Sequence, residues 1–332
     1  MISRVAENCY WLMRYVERCD TMARLLRVHA GMMLDNVLPE DRTWLPLLIV
    51  AGEEPAFEER FGAEGVGDGE LVQKYLTWDD SHSASIFSSL RSARENARTI
   101  RETISLEMWN TLNSLWLWLG EDETREMFDS EREMFYHEVN DRCHLFRGVW
   151  HNTVLHEEPF HFMRLGLNLE RAGMTARILD LHHHALSEAS QAPTEAVDAV
   201  EWIAILRTRY AYEPFFKKRR SALGGRGVAE FLLQEESFPS SVAYAVARAQ
   251  QALERIRPEG SVIGLRSAEL LNVLRSTVLN LDVGRAIDSN IHGVLTHIVE
   301  HTAELSQVIS EEYFHAAVSA PAVGSARSVS DA

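Results

Sequence analysis

Glu17 and Arg24 stand seven residues apart in "RYVERCDTMARLL", and Glu170 and Arg177 stand seven apart in "LNLERAGMTARIL". These residue types bind: a guanidinium grips a carboxylate or phosphate through two parallel hydrogen bonds, and a carboxylate accepts from an amine. At one shift, 153 residues (170 − 17), Glu17 returns as Glu170, Arg18 as Arg171, Ala23 as Ala176 and Arg24 as Arg177. On a helix seven residues span about 10.5 Å, so the Glu and the Arg project from one side without touching. Each charge needs a neighbour elsewhere. One reading pairs Glu17 with Arg177 and Glu170 with Arg24 across a pseudo-twofold axis, as in an isologous contact. The other places all four in a ligand site.

A second concentration of charge follows Trp202. Arg207, Arg209, Lys217, Lys218, Arg219, Arg220 and Arg226 face a single Glu213 there, in a chain of net charge −16. Tyr210, Tyr212, Phe215 and Phe216 are interleaved, the mixture found at binding hot spots. That segment reads as an anion-binding or partner loop, or more plainly as a solvated loop. "HIVEHTAE" puts His297, Glu300, His301 and Glu304 on one helical face and matches an H-x-x-E-H pattern. His137, Asp141 and His144 stand 160 residues earlier. The pattern lacks a further ligand downstream, so a metal-dependent hydrolase is the remote alternative and no metal site is assigned. His182 to His184 are consecutive, point in different directions on a helix and suit a helix end. "GGRG" at residues 224–227 lacks the Lys and Ser/Thr of a phosphate loop. No ATP site, and no catalytic residue, is assigned to the chain.

Helices must position these groups. Val16, Cys19, Ala23 and Leu26 mark one helical face, and Ala93, Ala97, Ile100 and Ile104 mark another. No segment alternates as a strand does. "YLTWDDSHSASIFSSLRSARENARTI" aligns with "FLLQEESFPSSVAYAVARAQQALERI" at a shift of 156, Trp44 with Trp202 at 158 and Glu107 with Glu269 at 162. Matches in one order at slowly drifting shifts indicate a duplicated unit. The expected fold is all-α, two pseudo-repeated helical bundle units packed into one elongated body. The units span 1–150 and 155–315, with 316–332 a disordered tail. "DDSHSAS" and "EESFPSS" are expected to cap the helices that follow them.

Composition narrows the class. Apolar residues make up 46% of the 332, an ordinary globular content. The net charge of −16 argues against nucleic acid and acidic membranes as partners. No apolar run approaches the roughly 18 residues of a membrane helix, and no secretory leader is read at the N-terminus. Cys9, Cys19 and Cys143 have no metal-type spacing, and Cys9 and Cys19 on one helix are too far apart to bridge. A cytoplasmic location is expected.

With "MISRVAENCYWLMRYVERCDTMARLL" read beside "HFMRLGLNLERAGMTARILD", "SSLRSARENARTIRETISLEMW" and "EFLLQEESFPSSV", the chain resembles the bacterial alpha-E domain family from Met1 to about Phe314. The resemblance implies an all-helical fold and a partner, a circularly permuted ATP-grasp protein, with a transglutaminase-like protein as a further neighbour. It implies a part in ATP-dependent amide or peptide bond formation, with ATP and Mg on the partner and no cofactor on this chain. It carries the family's characteristic Glu and Arg to Glu17 and Arg24, and to Glu170 and Arg177. In that scheme Arg209, Arg219 or Arg220 would meet an anionic group, and Glu17 or Glu170 an amine. Leu167 and Asn168 depart from the Arg-containing turn expected there. The rival reading is a structural scaffold or dimerisation module, and a homo-oligomer stays open.

Overall fold

A computed structural model describes residues 3–34, 40–187, 195–219, 223–257 and 259–315. Arg220 and the segment 316–332 lie outside the described residues. The helices of the N-terminal half are α1 (Ser3–Leu34), α2 (Glu40–Ala51), α3 (Glu54–Phe61), α4 (Gly69–Trp78), α5 (Ile86–Thr99), α6 (Leu106–Leu119), α7 (Asp122–Ser130) and α8 (Arg132–Thr153). The C-terminal half continues with α9 (Glu158–Ser187), α10 (Glu195–Thr208), α11 (Tyr212–Lys218), α12 (Gly225–Gln234), α13 (Val242–Ile256), α14 (Leu265–Leu279), α15 (Val283–Ser289) and α16 (Ile291–Ile309). No strand occurs among the described residues, in keeping with the all-α expectation.

The two longest helices, α1 with 32 residues and α9 with 30, lie against each other. α5 and α8 pack on α1, and α13 and α16 pack on α9. The apolar periodicity dictates this. Cys9, Leu12, Met13, Val16, Cys19, Ala23 and Leu26 are buried on α1, as are Phe162, Met163, Leu169, Ala172 and Ala176 on α9. Burying one Leu-sized side chain contributes about 1.5–3 kcal/mol, so helices that would be marginal alone in water are held by this shared face. One hydrophobic cluster runs through both halves. At Gly166 the backbone of α9 comes close to that of α1: a Cβ there would stand 2.1 Å from the carbonyl oxygen of Tyr10. Only glycine allows that backbone contact.

The expected caps are present. Ser85 Oγ accepts from the Ser88 N–H at 3.0 Å and donates to the Asp79 carbonyl at 2.5 Å. Ser241 Oγ accepts from the Tyr244 N–H at 3.1 Å and donates to the Glu235 carbonyl at 2.5 Å. Pro159 sits in the first turn of α9, where its missing N–H costs nothing. Trp44 covers Gly69 and Trp202 covers Gly225, each so closely that a Cβ would come within 2.2 and 2.5 Å of the ring. The turns after α2 and α10 both enter the left-handed region, at Gly52 (φ 74°) and at Tyr210 (φ 56°). Tyr210 is the one non-glycine residue there among those described, a conformation that needs support from its surroundings.

Candidate functional site

The Glu and Arg side chains meet where α1 crosses α9, and the crossing is reciprocal. Arg171 holds both oxygens of Glu17, through Nε at 3.0 Å and a terminal nitrogen at 2.9 Å. Arg18 donates Nε to Glu170 at 2.7 Å. Each glutamate then takes a second arginine: Arg147 from α8 reaches Glu17 at 2.7 Å, and Arg14 from α1 reaches Glu170 at 2.7 Å. Both carboxylates are buried, at 3% and 4% exposure. Burial alone would raise the Glu170 pKa, but Arg18 and Arg14 outweigh it and bring it down to about 2. Glu17 is likewise lowered, with burial opposing and Arg171 and Arg147 prevailing. Both therefore stay charged at neutral pH.

This corrects the expected partners. Glu17 does not pair with Arg177, nor Glu170 with Arg24. The helices meet at the level of the Glu-Arg dipeptides, and a position seven residues on lies two turns beyond that level. Arg24 instead donates Nε to the Arg207 carbonyl at 2.9 Å, near the end of α10, and lies 4.2 Å over the Tyr210 ring. Arg177 donates to the Val50 carbonyl at 3.3 Å, near the end of α2. Helix C-terminal carbonyls carry partial negative charge that suits a cation. Arg18 and Arg171 were legible in principle, since they recur at the same shift of 153. Arg14 and Arg147 were not, since Leu167 stands 153 residues after Arg14.

The two ends of the crossing differ. Around Glu17 the chain supplies further polar partners of its own. Asp20 accepts from Arg147 at 2.8 Å, from Asn140 at 2.9 Å and from the Tyr210 hydroxyl at 3.1 Å. Arg209 is buried there too, donates to Thr21 at 3.2 Å and lies 3.8 Å from Glu17. Burial lowers the Arg209 pKa to about 10, against the opposing pull of Glu17. Beside Glu170 a cavity of about 220 Å³ remains, lined by Arg14, Arg18, Arg177, Ser83 and Thr302 among others. Gly173 and Met174 of α9 form part of its wall. Arg24, Arg27 and Arg207 border a second cavity of about 220 Å³ with Glu133.

The basic segment is not one exposed loop. It is the end of α10, the short helix α11 and the start of α12. Arg209 points into the core, Lys218 pairs with Glu235 at 3.2 Å and Arg219 pairs with Glu230 at 2.5 Å. Phe215 is fully buried, whereas Phe216 and Lys217 are exposed. His297 and His301 have ring centres 5.4 Å apart. His137 and Asp141 form a surface pair at 3.3 Å. Among the described residues no three His, Cys, Asp or Glu side chains converge as a metal site would require. Cys19 and Cys143 are buried with sulfurs 4.0 Å apart, a contact that their separation in sequence hides. No described helix is long and apolar enough to cross a membrane.

Comparison with curated proteins and with solved structures gives no match. A family model does match, over residues 1–314, and is described as Alpha-E, "a predicted alpha-helical domain with a conserved ER motif". Of the five Glu-Arg dipeptides in the sequence, Glu17-Arg18 and Glu170-Arg171 are the two whose side chains cross between the central helices. With its all-helical described residues and this doubled Glu-Arg crossing, the chain belongs to the Alpha-E family.

Proposed function

We propose that this chain is a helical, non-ATP-binding subunit that works with a circularly permuted ATP-grasp enzyme in ATP-dependent amide or peptide bond formation. Its own task is to bind and position the substrate or acceptor. ATP and Mg belong to the partner in this reading, and a transglutaminase-like protein is a further proposed neighbour. The observation that carries it is the cavity beside Glu170, where three arginines gather in a protein of net charge −16. Acyl transfer passes through anionic groups, and holding one in place contributes to rate without covalent chemistry. Both oxygens of Glu17 and of Glu170 are engaged by arginines, so the amine-gripping role considered for these glutamates gives way to an anion-gripping role for arginines.

Co-purification from native cells, followed by reconstitution, tests the reading. An ATP-grasp protein should come with the chain, and amide formation by that partner should rise when the chain is added back. Capture of no such protein, together with full partner activity in its absence, would overturn it.

A scaffold or dimerisation role is the second reading. It is favoured by the enclosure of Glu17, whose ion pairs hold α1, α8 and α9 together. We further propose that 1–150 and 155–315 are copies of one unit. The matched Ser85 and Ser241 caps and the exchanged contacts of Arg24 and Arg177 support this. A cytoplasmic location is proposed on the three free thiols.

A further inference from the structure

We propose that the cavity beside Glu170 is an oxyanion site, taking the phosphate or carboxylate group of a small ligand on Arg177, Arg18 and Arg14. For the biological origin of that ligand the proposal rests on the ligase reading above.

Charge is the first ground. Three guanidinium groups and one carboxylate line the cavity, and the carboxylate is already shared. Arg18 spends only its Nε on Glu170, and its terminal nitrogens have no hydrogen bond among the described residues. Arg177 has one bond, to the Val50 carbonyl, and no carboxylate within 4.0 Å among the described residues. Burial and the neighbouring Arg18 and Arg14 lower its pKa, against the pull of Glu170, so an added anion there would relieve repulsion among like charges. Fixed arginine forks match an oxyanion better than any other small ligand.

The other end of the crossing supplies the second ground. There, the protein places its own carboxylate, Asp20, against Arg147, and its own ring, Tyr210, against Arg24. The residue 153 positions after Asp20 is Gly173, and the residue 158 positions before Tyr210 is Gly52. Gly173 lines the cavity, and a Cβ at Gly52 would lie 3.7 Å from a terminal nitrogen of Arg177. Thus the two groups that close the Glu17 end are reduced to hydrogen at the Glu170 end. What remains is a polar void, where an external oxyanion takes the place of the absent carboxylate. Ser83 and Ala84, just ahead of α5, also line the void, so the positive end of that 14-residue helix adds to the field.

Titration of the whole protein with inorganic phosphate and, separately, acetate, at constant ionic strength made up with chloride, is the test. Thermal melting and calorimetry are the readouts, because a ligand of the native state raises the melting temperature in step with its occupancy. Saturable binding of one stoichiometric anion is expected. A phosphate response without an acetate response assigns a phosphoryl group, and the reverse assigns a carboxylate. Arg177→Gln should weaken binding at least tenfold, while Arg285→Ala, an exposed position on α15, should leave it unchanged. Gly173→Asp supplies the missing carboxylate from within and should abolish binding while the protein stays folded. That variant decides the matter if Arg177→Gln does not fold. No saturable response to either anion, or an equal response in wild type and Gly173→Asp, overturns the proposal. Capture of the ATP-grasp partner should survive Arg177→Gln. Anion binding without any such partner would sink the ligase reading and leave the site standing.

Discussion

Arg171 spans both oxygens of Glu17, while the residue before it, Glu170, is held by the residue after Glu17. Two adjacent residues on α1 and two on α9 thereby exchange ion pairs across one helix crossing. Neither helix satisfies its own charges.

Replacement of Glu170 by Gln should therefore destabilise the fold strongly, since Arg14 and Arg18 lose a buried counter-charge. A loss of about 3–5 kcal/mol in urea denaturation is expected, and a similar loss for Glu17→Gln. Arg24→Gln should cost less, under about 2 kcal/mol, because it removes a carbonyl contact and a ring contact instead of an ion pair. An equal loss at Arg24 would mean the crossing is not the principal charge contact.

Acid should unfold the protein in two stages. His29 is buried and its pKa is brought down to about 4 from 6.5, with burial lowering it and the bond to the Leu25 carbonyl opposing. The unfolded chain takes up this proton first, so stability present above pH 6.5 is lost as pH falls toward about 4. Glu170 behaves alike lower down, its stabilisation being present above pH 4.5 and lost toward about 2. Each shift corresponds to about 3 kcal/mol. In urea melts at a series of pH values, His29→Asn should flatten only the upper stage. A stability that rose on acidification from pH 6.5 to 4 would contradict the assignment.

Two glycines on long helices should respond oppositely to alanine. Gly166→Ala puts a methyl into the Tyr10 carbonyl and should cost about 3 kcal/mol, because backbone cannot step aside. Gly148 on α8 is exposed, with nothing within 4 Å of its would-be Cβ, so Gly148→Ala should stabilise by up to about 1 kcal/mol. Thermal melts of the two variants against wild type measure both signs.

Loss of one cap should be felt locally. Ser85→Ala removes a bond to the Ser88 N–H and another to the Asp79 carbonyl, and should cost about 1–2 kcal/mol. Hydrogen exchange should quicken in the first turn of α5 and not in α13, whose cap is Ser241. Uniform quickening would show that the cap supports more than its own helix.

Much of the fold was legible because helix period and cap chemistry are local properties. Ser85, Ser241 and Pro159 stand where their residue types require, and Val16, Cys19, Ala23 and Leu26 are all buried. Partner choice was not local. Which residue of α9 faces Glu17 depends on where the two helices touch, and contacts such as that of Gly166 with the Tyr10 carbonyl join residues 156 apart in sequence. Arg147 and Asp20 lie on different helices, so no spacing joins them. The basic segment misled for a related reason. Charge along a sequence says nothing of depth, and Arg209 turns inward just before a left-handed Tyr210. The cavity was invisible for the opposite reason, since it is bordered by glycine where its counterpart has side chains.

Chain continuity between α8 and α9 passes through a short surface connection at residues 154–157, where Leu155 is 75% exposed. A protease cutting there would sever the backbone without separating the pieces. Dissociation would carry Glu17 away from Arg171 and Glu170 away from Arg14 and Arg18, and would open the shared apolar core in the same step. The nicked protein should sediment as one particle and fall apart only on unfolding, so the covalent link sets which halves meet and the crossing sets whether they part.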